Sequence, residues 1–213
     1  GSNGFGQLGN GGTVNSSTPV QVKKGADVLL ANVIDIEAGA YHNCAIQTTG
    51  AMYCWGFDVD GHLGLNNIMD GSTSEKKAVK MALSMSATCA IAASDATKVI
   101  CVGYGYSSSD NASTTIDLGH AVTAITAGST HFCAILDTTK AKCWGTNHKG
   151  QLGIGSAQIT AAYHASPVFV LQDSAGTVLS GITKINAAYS STCLVVIGSP
   201  MCFGNNKYYQ LGI

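Results

Sequence analysis

The stretch AGSTHFCAILDTTKAKCWGTNHKGQLG, residues 127–153, carries the pattern that decides the fold. Cys133 and Cys143 flank a short run centred on Asp137-Thr138-Thr139, and the second cysteine is followed at once by Trp-Gly. Apolar residues alternate on both sides of a turn-forming triplet, which is the signature of a β-hairpin rather than a helix. Residues 38–64, AGAYHNCAIQTTGAMYCWGFDVDGHLG, repeat the arrangement, with Cys44 and Cys54 placed about Thr48-Thr49-Gly50.

Two further cysteine pairs complete a series. The first cysteines are Cys44, Cys89, Cys133 and Cys193, at steps of 45, 44 and 60 residues, and the second are Cys54, Cys101, Cys143 and Cys202. Eight residues before each first cysteine stands Ile36, Met81, Ile125 or Ile185, and eleven before stands Val33, Ala78, Val122 or Ile182. A second motif follows the Trp-Gly: WGTNHKGQLG after Cys143, WGFDVDGHLG after Cys54 and FGNNKYYQLG after Cys202. The opening GSNGFGQLG fits the same frame, so its Gly-Ser is read as native sequence. The expected units are 10–64, 65–110, 111–153 and 154–213, about 51 residues each, with 1–9 the tail of a preceding unit. The second unit is degenerate, with CVGYGYSSSD in place of the Trp-Gly motif.

Each unit reads as four short strands. TPVQVKK (18–24) and SPVFVLQ (166–172) alternate beside a Pro, as an outer strand does, and three more alternating segments follow. Four strands per repeat of this length predict all-β propeller blades of antiparallel strands.

The cysteines have two readings. A metal site would use His42 with Cys44 and His131 with Cys133. However, Ala87 and Ser191 occupy the His position in the other units. The gaps of 10, 12, 10 and 9 residues also depart from the short spacing zinc favours. A hairpin reading accounts for all four pairs, because each is roughly symmetric about its own turn. Residues so placed face each other across antiparallel strands within disulfide reach. The expected disulfides are Cys44–Cys54, Cys89–Cys101, Cys133–Cys143 and Cys193–Cys202, and no metal or cofactor is expected.

Composition narrows the function. The 213 residues are 46% hydrophobic and 11% charged, with a formal net charge of −1. All eleven basic residues are Lys, which argues against nucleic-acid recognition through the guanidinium fork. No run of about 18 apolar residues is present, so no membrane span is expected. Eight regularly spaced cysteines point to an oxidising compartment, hence an extracellular or cell-surface location. Two sequons, Asn15-Ser16-Ser17 and Asn111-Ala112-Ser113, lie in loop-like sequence and are candidate N-glycan sites. No nucleophile elbow, HExxH, phosphate-binding loop or EF-hand is present, so no catalytic residue is assigned. Asp58-Val59-Asp60-Gly61 is read as a turn rather than a calcium loop.

Residues 127–153, 38–64 and GSNGFGQLG resemble the regulator of chromosome condensation repeat. The resemblance implies a propeller, ordinarily of about seven blades. The paired cysteines are similar to those of secreted bacterial repeat proteins and Crinkly-type receptor ectodomains. Trp55, Trp144 and Phe203 are expected to pack between blades. Gly64, Gly153 and Gly212 are expected to shape the inter-blade turn. Fold does not fix function. The expected function is a non-enzymatic secreted module for protein contact, partnered by copies of itself or by the rest of a longer chain. It would form an open arc, part of a larger propeller or a filament. A receptor ectodomain, an enzyme inhibitor with exposed Tyr104, Tyr106, Tyr208 and Tyr209, and a GTPase exchange factor are the alternatives.

Overall fold

The computed structural model describes residues 1–25, 28–57, 77–103, 113–155 and 162–212. Among the described residues there are fourteen strands and no helix, and hence no helix long and apolar enough to cross a membrane. Four sheets result. The first is β1 (Val33–Ala38), β2 (His42–Gln47) and β3 (Met52–Gly56). The second is β4 (Ala78–Leu83), β5 (Ala87–Ala92), β6 (Lys98–Gly103) and β7 (Thr114–Asp117). The third is β8 (Val122–Ala127), β9 (His131–Leu136), β10 (Ala141–Thr146) and β11 (Tyr163–Phe169). The fourth is β12 (Ile182–Ala188), β13 (Ser191–Val196) and β14 (Ser199–Gly204). Strands are adjacent in the order of the chain, as in propeller blades, and the fold is all-β.

The first strand of every sheet begins at the residue eleven before the first cysteine: Val33, Ala78, Val122 or Ile182. Each also carries a bulge directly after that residue, where its register against the next strand shifts. A bulge bends and twists the strand, so the repeat in sequence is a repeat in backbone shape.

The hairpins place the cysteines directly opposite each other: Cys44 faces Cys54, Cys133 faces Cys143 and Cys193 faces Cys202. All four pairs are disulfide-bonded, each with its Cα atoms 4.1 Å apart, near the close spacing of a non-hydrogen-bonded antiparallel pair. No described cysteine is free.

The chain divides into two compact units, 1–95 with 100–115 and 96–99 with 116–213. In the first, Met81, Leu83 and Ala90 close over Cys44 and Ile46. In the second, Leu152, Val170, Leu179, Ile182 and Leu194 gather round the Cys133–Cys143 bridge. Trp144 is fully buried there and stacks on Phe132, with ring centroids 5.8 Å apart and planes at 15°. Such a stack adds ~0.5–1.5 kcal/mol beyond its buried area.

The expected strand at 18–24 is not formed, and only Lys23 makes a bridge, to Leu29. Its counterpart SPVFVLQ supplies the end of β11 because β10 lies beside it to satisfy its backbone. Among the described residues no strand pairs with 18–22.

Candidate functional site

Among the described residues one loop motif is built three times, at 3–9, 147–153 and 206–212. An asparagine organises each. The Asn3, Asn147 and Asn206 side-chain oxygens accept the backbone N–H of Leu8, Leu152 and Leu211, at 2.8, 3.1 and 3.0 Å. Their carbonyls accept the N–H three residues on, from Gly6, Gly150 and Tyr209. The glutamine of each loop reaches back: Gln7, Gln151 and Gln210 Oε1 accept the N–H of Phe5, Lys149 and Tyr208. A loop without strands thereby satisfies its own backbone. Asn3 and Asn147 are fully buried.

That construction leaves the glutamine carbonyl pointing out of the loop, towards the next hairpin. Gln7 O accepts the Trp55 indole N–H and the Asn43 side-chain N–H, both at 2.8 Å. Gln151 O accepts the Thr192 hydroxyl at 2.9 Å. The loop's final glycine receives the aromatic ring. A Cβ on Gly9 would stand 2.8 Å from the Trp55 ring, and one on Gly153 would stand 2.8 Å from Phe203. Gly153 also has φ +66, which an L side chain rarely adopts. Carbonyl and aromatic therefore fasten each of these two loops to the hairpin that follows it within its unit.

Histidine completes the joint. His131 Nε2 lies 2.8 Å from Thr192 Oγ1, and His42 Nε2 lies 2.9 Å from Thr88 Oγ1. Because the Thr192 hydroxyl donates to Gln151, it accepts from His131, which fixes the neutral imidazole with its proton on Nε2. His131 Nδ1 is then a buried nitrogen without a hydrogen-bond partner. Protonating it would create both a buried charge and an unpaired donor. Burial accordingly pushes the imidazole down to about 4. Gly128 makes room for this ring, since a Cβ there would overlap His131.

Trp144 is buried, and among the described residues its indole N–H has no acceptor such as the Gln7 carbonyl that Trp55 finds. Trp55 and Phe203 are partly exposed. Gly212 has φ +76, and a Cβ on it would meet nothing. Asn15 is exposed, with its Oδ1 accepting the Asn3 N–H at 2.8 Å. Tyr208 and Tyr209 are exposed. Gly64, Asn111, Tyr104, Tyr106 and the Asp58–Gly61 turn lie outside the described residues. Among the described residues, no three His, Cys, Asp or Glu side chains cluster as metal ligands. On β1, Glu37 is raised above the usual carboxylate range, first by burial and then by Asp35. Reading the sequence missed the asparagines and Thr192. The asparagine was legible in NGFGQLG, NHKGQLG and NKYYQLG, whereas the threonine acts only across hairpins.

Exposed large apolar side chains occur in both units, Val14 and Ile197 among them. Ile34 and Ile36 on β1 are 58% and 62% exposed, whereas Met81, equivalent to Ile36, is 2% exposed. In the second unit Tyr189, Tyr208 and Tyr209 stand out, each more than two-thirds exposed.

The regulator of chromosome condensation (RCC1) repeat matches residues 1–46, and a second form of that repeat matches 33–61 and 122–151. Protein pim1 of Schizosaccharomyces pombe is 23% identical over 197 residues, covering 86% of this chain and 29% of pim1. Among solved structures, human WBSCR16 is similar over the whole chain and 57% of its own, at TM-score 0.74 and 18% identity. Prp20p of Saccharomyces cerevisiae is similar over 85% of this chain and 46% of its own, at TM-score 0.67 and 14% identity. The chain thus spans less than two thirds of each. Residues 1–61 and 122–151 thus match regulator of chromosome condensation repeats, the fold is that of the similar propellers, and the four disulfides fit the cysteine-paired variety of that repeat.

Proposed function

We propose that the chain is a non-enzymatic module for protein contact, working in an oxidising compartment at or outside the cell surface and associating with copies of itself or with the rest of a longer chain. The observation that carries the reading is the bare apolar face of β1, with Ile34 and Ile36 more than half exposed. In the second sheet the same strand position is buried against a neighbouring hairpin. An apolar blade face left in water marks a contact site. The polar groups of the loops support it too, because they are spent on joining hairpins rather than left converging on a ligand. Prp20p, similar in fold, is described by its binding to Gsp1p and histones, and protein binding is the part of that comparison carried here. Four disulfides are compatible with the compartment. Exposed Asn15 is a candidate for glycan, as is Asn111.

Light scattering on the purified chain tests the reading. The expected result is a species heavier than the 21.8 kDa monomer that grows with concentration in the micromolar range. A monomer throughout that range would refute self-association. Intact mass with and without reductant and glycosidase reads the disulfides and glycans in the same sample. Exposed Tyr189, Tyr208 and Tyr209 favour a second reading, an inhibitor or receptor ectodomain that offers an aromatic patch to a different protein. Replacing all three by Ser should leave self-association unchanged and abolish that binding.

A further inference from the structure

We infer that Phe5, Tyr41 and Phe57 form a binding niche for a trimethylammonium group. The inference goes beyond protein contact and does not depend on self-association. Phe57 follows β3, and its N–H donates to Tyr41 O at 3.0 Å across the hairpin. Phe5 comes from the loop 3–9, which the Gln7 carbonyl ties to Trp55 and Asn43 of the same hairpin. Phe5 and Phe57 meet edge to face, with ring centroids 4.5 Å apart and planes at 63°. Tyr41 and Phe57 meet likewise, at 6.0 Å and 61°. Phe5 is 54% exposed and Tyr41 48%, and Phe57 is partly exposed.

The repeat does not require these rings. The loop 147–153 and the hairpin 191–204 build the same joint with Lys149, Ser190 and Asn205 at the three positions. The backbone is unchanged there. Asn205 N–H donates to Ser190 O at 2.9 Å, and Gln151 Oε1 accepts Lys149 N–H at 2.9 Å, as Gln7 Oε1 accepts Phe5 N–H at 2.8 Å. The third sheet likewise has Thr130 and Thr146 in place of Tyr41 and Phe57. Lys149 and Thr130 are exposed too, so exposure at these positions belongs to the shape of the repeat. Polar residues therefore suffice for the joint, and the aromatic cluster answers to something other than folding.

The rings decide the ligand class. An aromatic ring is negative over its faces and draws a cation that comes within about 6 Å of its centroid. The protein uses that attraction with its own lysines. Lys24 lies over Tyr53 at 5.7 Å, Lys142 over Phe169 at 4.7 Å and Lys207 over Tyr208 at 5.4 Å. Among the described residues no lysine stands over Phe5 or Tyr41. Both of these rings are set steeply against Phe57, so the three bound a niche rather than a flat plate. A planar guanidinium suits a single ring face, whereas a rounded cation meets several.

The polar groups beside the rings favour an alkylated cation. Tyr41 O accepts from Phe57, Asn3 O from Gly6, Gln7 Oε1 from Phe5, and Gln7 O from Trp55 and Asn43. A primary ammonium entering here would give up water for acceptors that are already engaged. A trimethylammonium has no N–H to satisfy and spreads its charge over its methyl groups, which pack on ring faces. Free choline and a choline lipid headgroup present that group alike.

The test titrates the full oxidised chain with choline and follows the aromatic resonances by NMR. The neutral isostere, in which a tert-butyl group replaces the trimethylammonium, is titrated alongside. Each ring face at an exposed site contributes roughly two- to fivefold, so choline should bind about tenfold or more tighter than the isostere. Phe5→Leu keeps an apolar side chain but loses the π face, and Tyr41→Ser copies the residue of the fourth sheet. Each variant, retaining its four native disulfides, should weaken choline binding roughly two- to fivefold, whereas Tyr41→Phe should bind as the parent does. Equal binding of choline and its isostere would overturn the cation in favour of a plain apolar patch. Choline binding that ignores both variants would overturn the place, and no binding would overturn the niche. Flotation with phosphatidylcholine vesicles, but not with phosphatidylglycerol vesicles, would support the niche with a lipid headgroup as its ligand. Choline binding without flotation would support it with a free solute as its ligand.

Discussion

Lowering the pH should weaken this protein through His131, by an amount the joint between β9 and β13 fixes. His131 is fully buried, gives its Nε2 proton to Thr192, and has no partner for Nδ1. Its folded value of about 4 lies below the unfolded reference of 6.5. The unfolded chain therefore binds the proton first as pH falls. The histidine's stabilisation is complete above 6.5 and is lost progressively down to about 4. Between pH 7 and 5 that amounts to roughly 2 kcal/mol, at 1.36 kcal/mol per pKa unit. Urea unfolding of the oxidised chain at both pH values reads it, as a fall in midpoint at constant slope. His131→Gln, which retains a donor able to reach Thr192 but cannot be protonated, should lose about 2 kcal/mol less than the parent over the same interval. Equal losses in parent and variant would refute the assignment, because the pH dependence would then belong to other groups.

The loops and glycines give further expectations. Asn147→Ala removes the acceptor of a buried Leu152 N–H and should cost ~1–3 kcal/mol. Asn206→Ala, in the exposed terminal loop, should cost clearly less in the same denaturant titration, and equal costs would count against burial as the cause. Gly145→Ala meets both a φ of +103 and the Thr130 carbonyl at 2.6 Å, whereas Gly119→Ala meets only a φ of +74 in open space. Thermal melts should show Gly119→Ala down by ~1–2 kcal/mol and Gly145→Ala down by more. Timed reduction and alkylation should open Cys193–Cys202, partly exposed, before the fully buried Cys133–Cys143. Opening either removes ~2–3 kcal/mol of unfolded-state constraint. The reverse order of reduction would contradict the burial pattern.

The sequence by itself determined what a short window of chain decides. Alternation of apolar residues about Thr48-Thr49-Gly50 or Asp137-Thr138-Thr139 makes a hairpin, and symmetry about the turn brings cysteine opposite cysteine. The first-strand boundaries follow from the same phase, since Val33, Ala78, Val122 and Ile182 all begin strands. These features depend on the pleat and on turn chemistry, both local and periodic. The tertiary structure decided the rest, because it turns on what lies beside a segment rather than within it. TPVQVKK and SPVFVLQ carry one pattern, yet only the second joins a strand, since β10 offers it a free ladder of N–H and C=O groups. Trp55 and Trp144 occupy one motif position, yet one indole finds the Gln7 carbonyl and the other finds none among the described residues. The chain from His131 through Thr192 to the Gln151 carbonyl joins residues up to 61 apart. No window of sequence contains that contact, because it forms only when separate hairpins pack and exclude water from the groups between them.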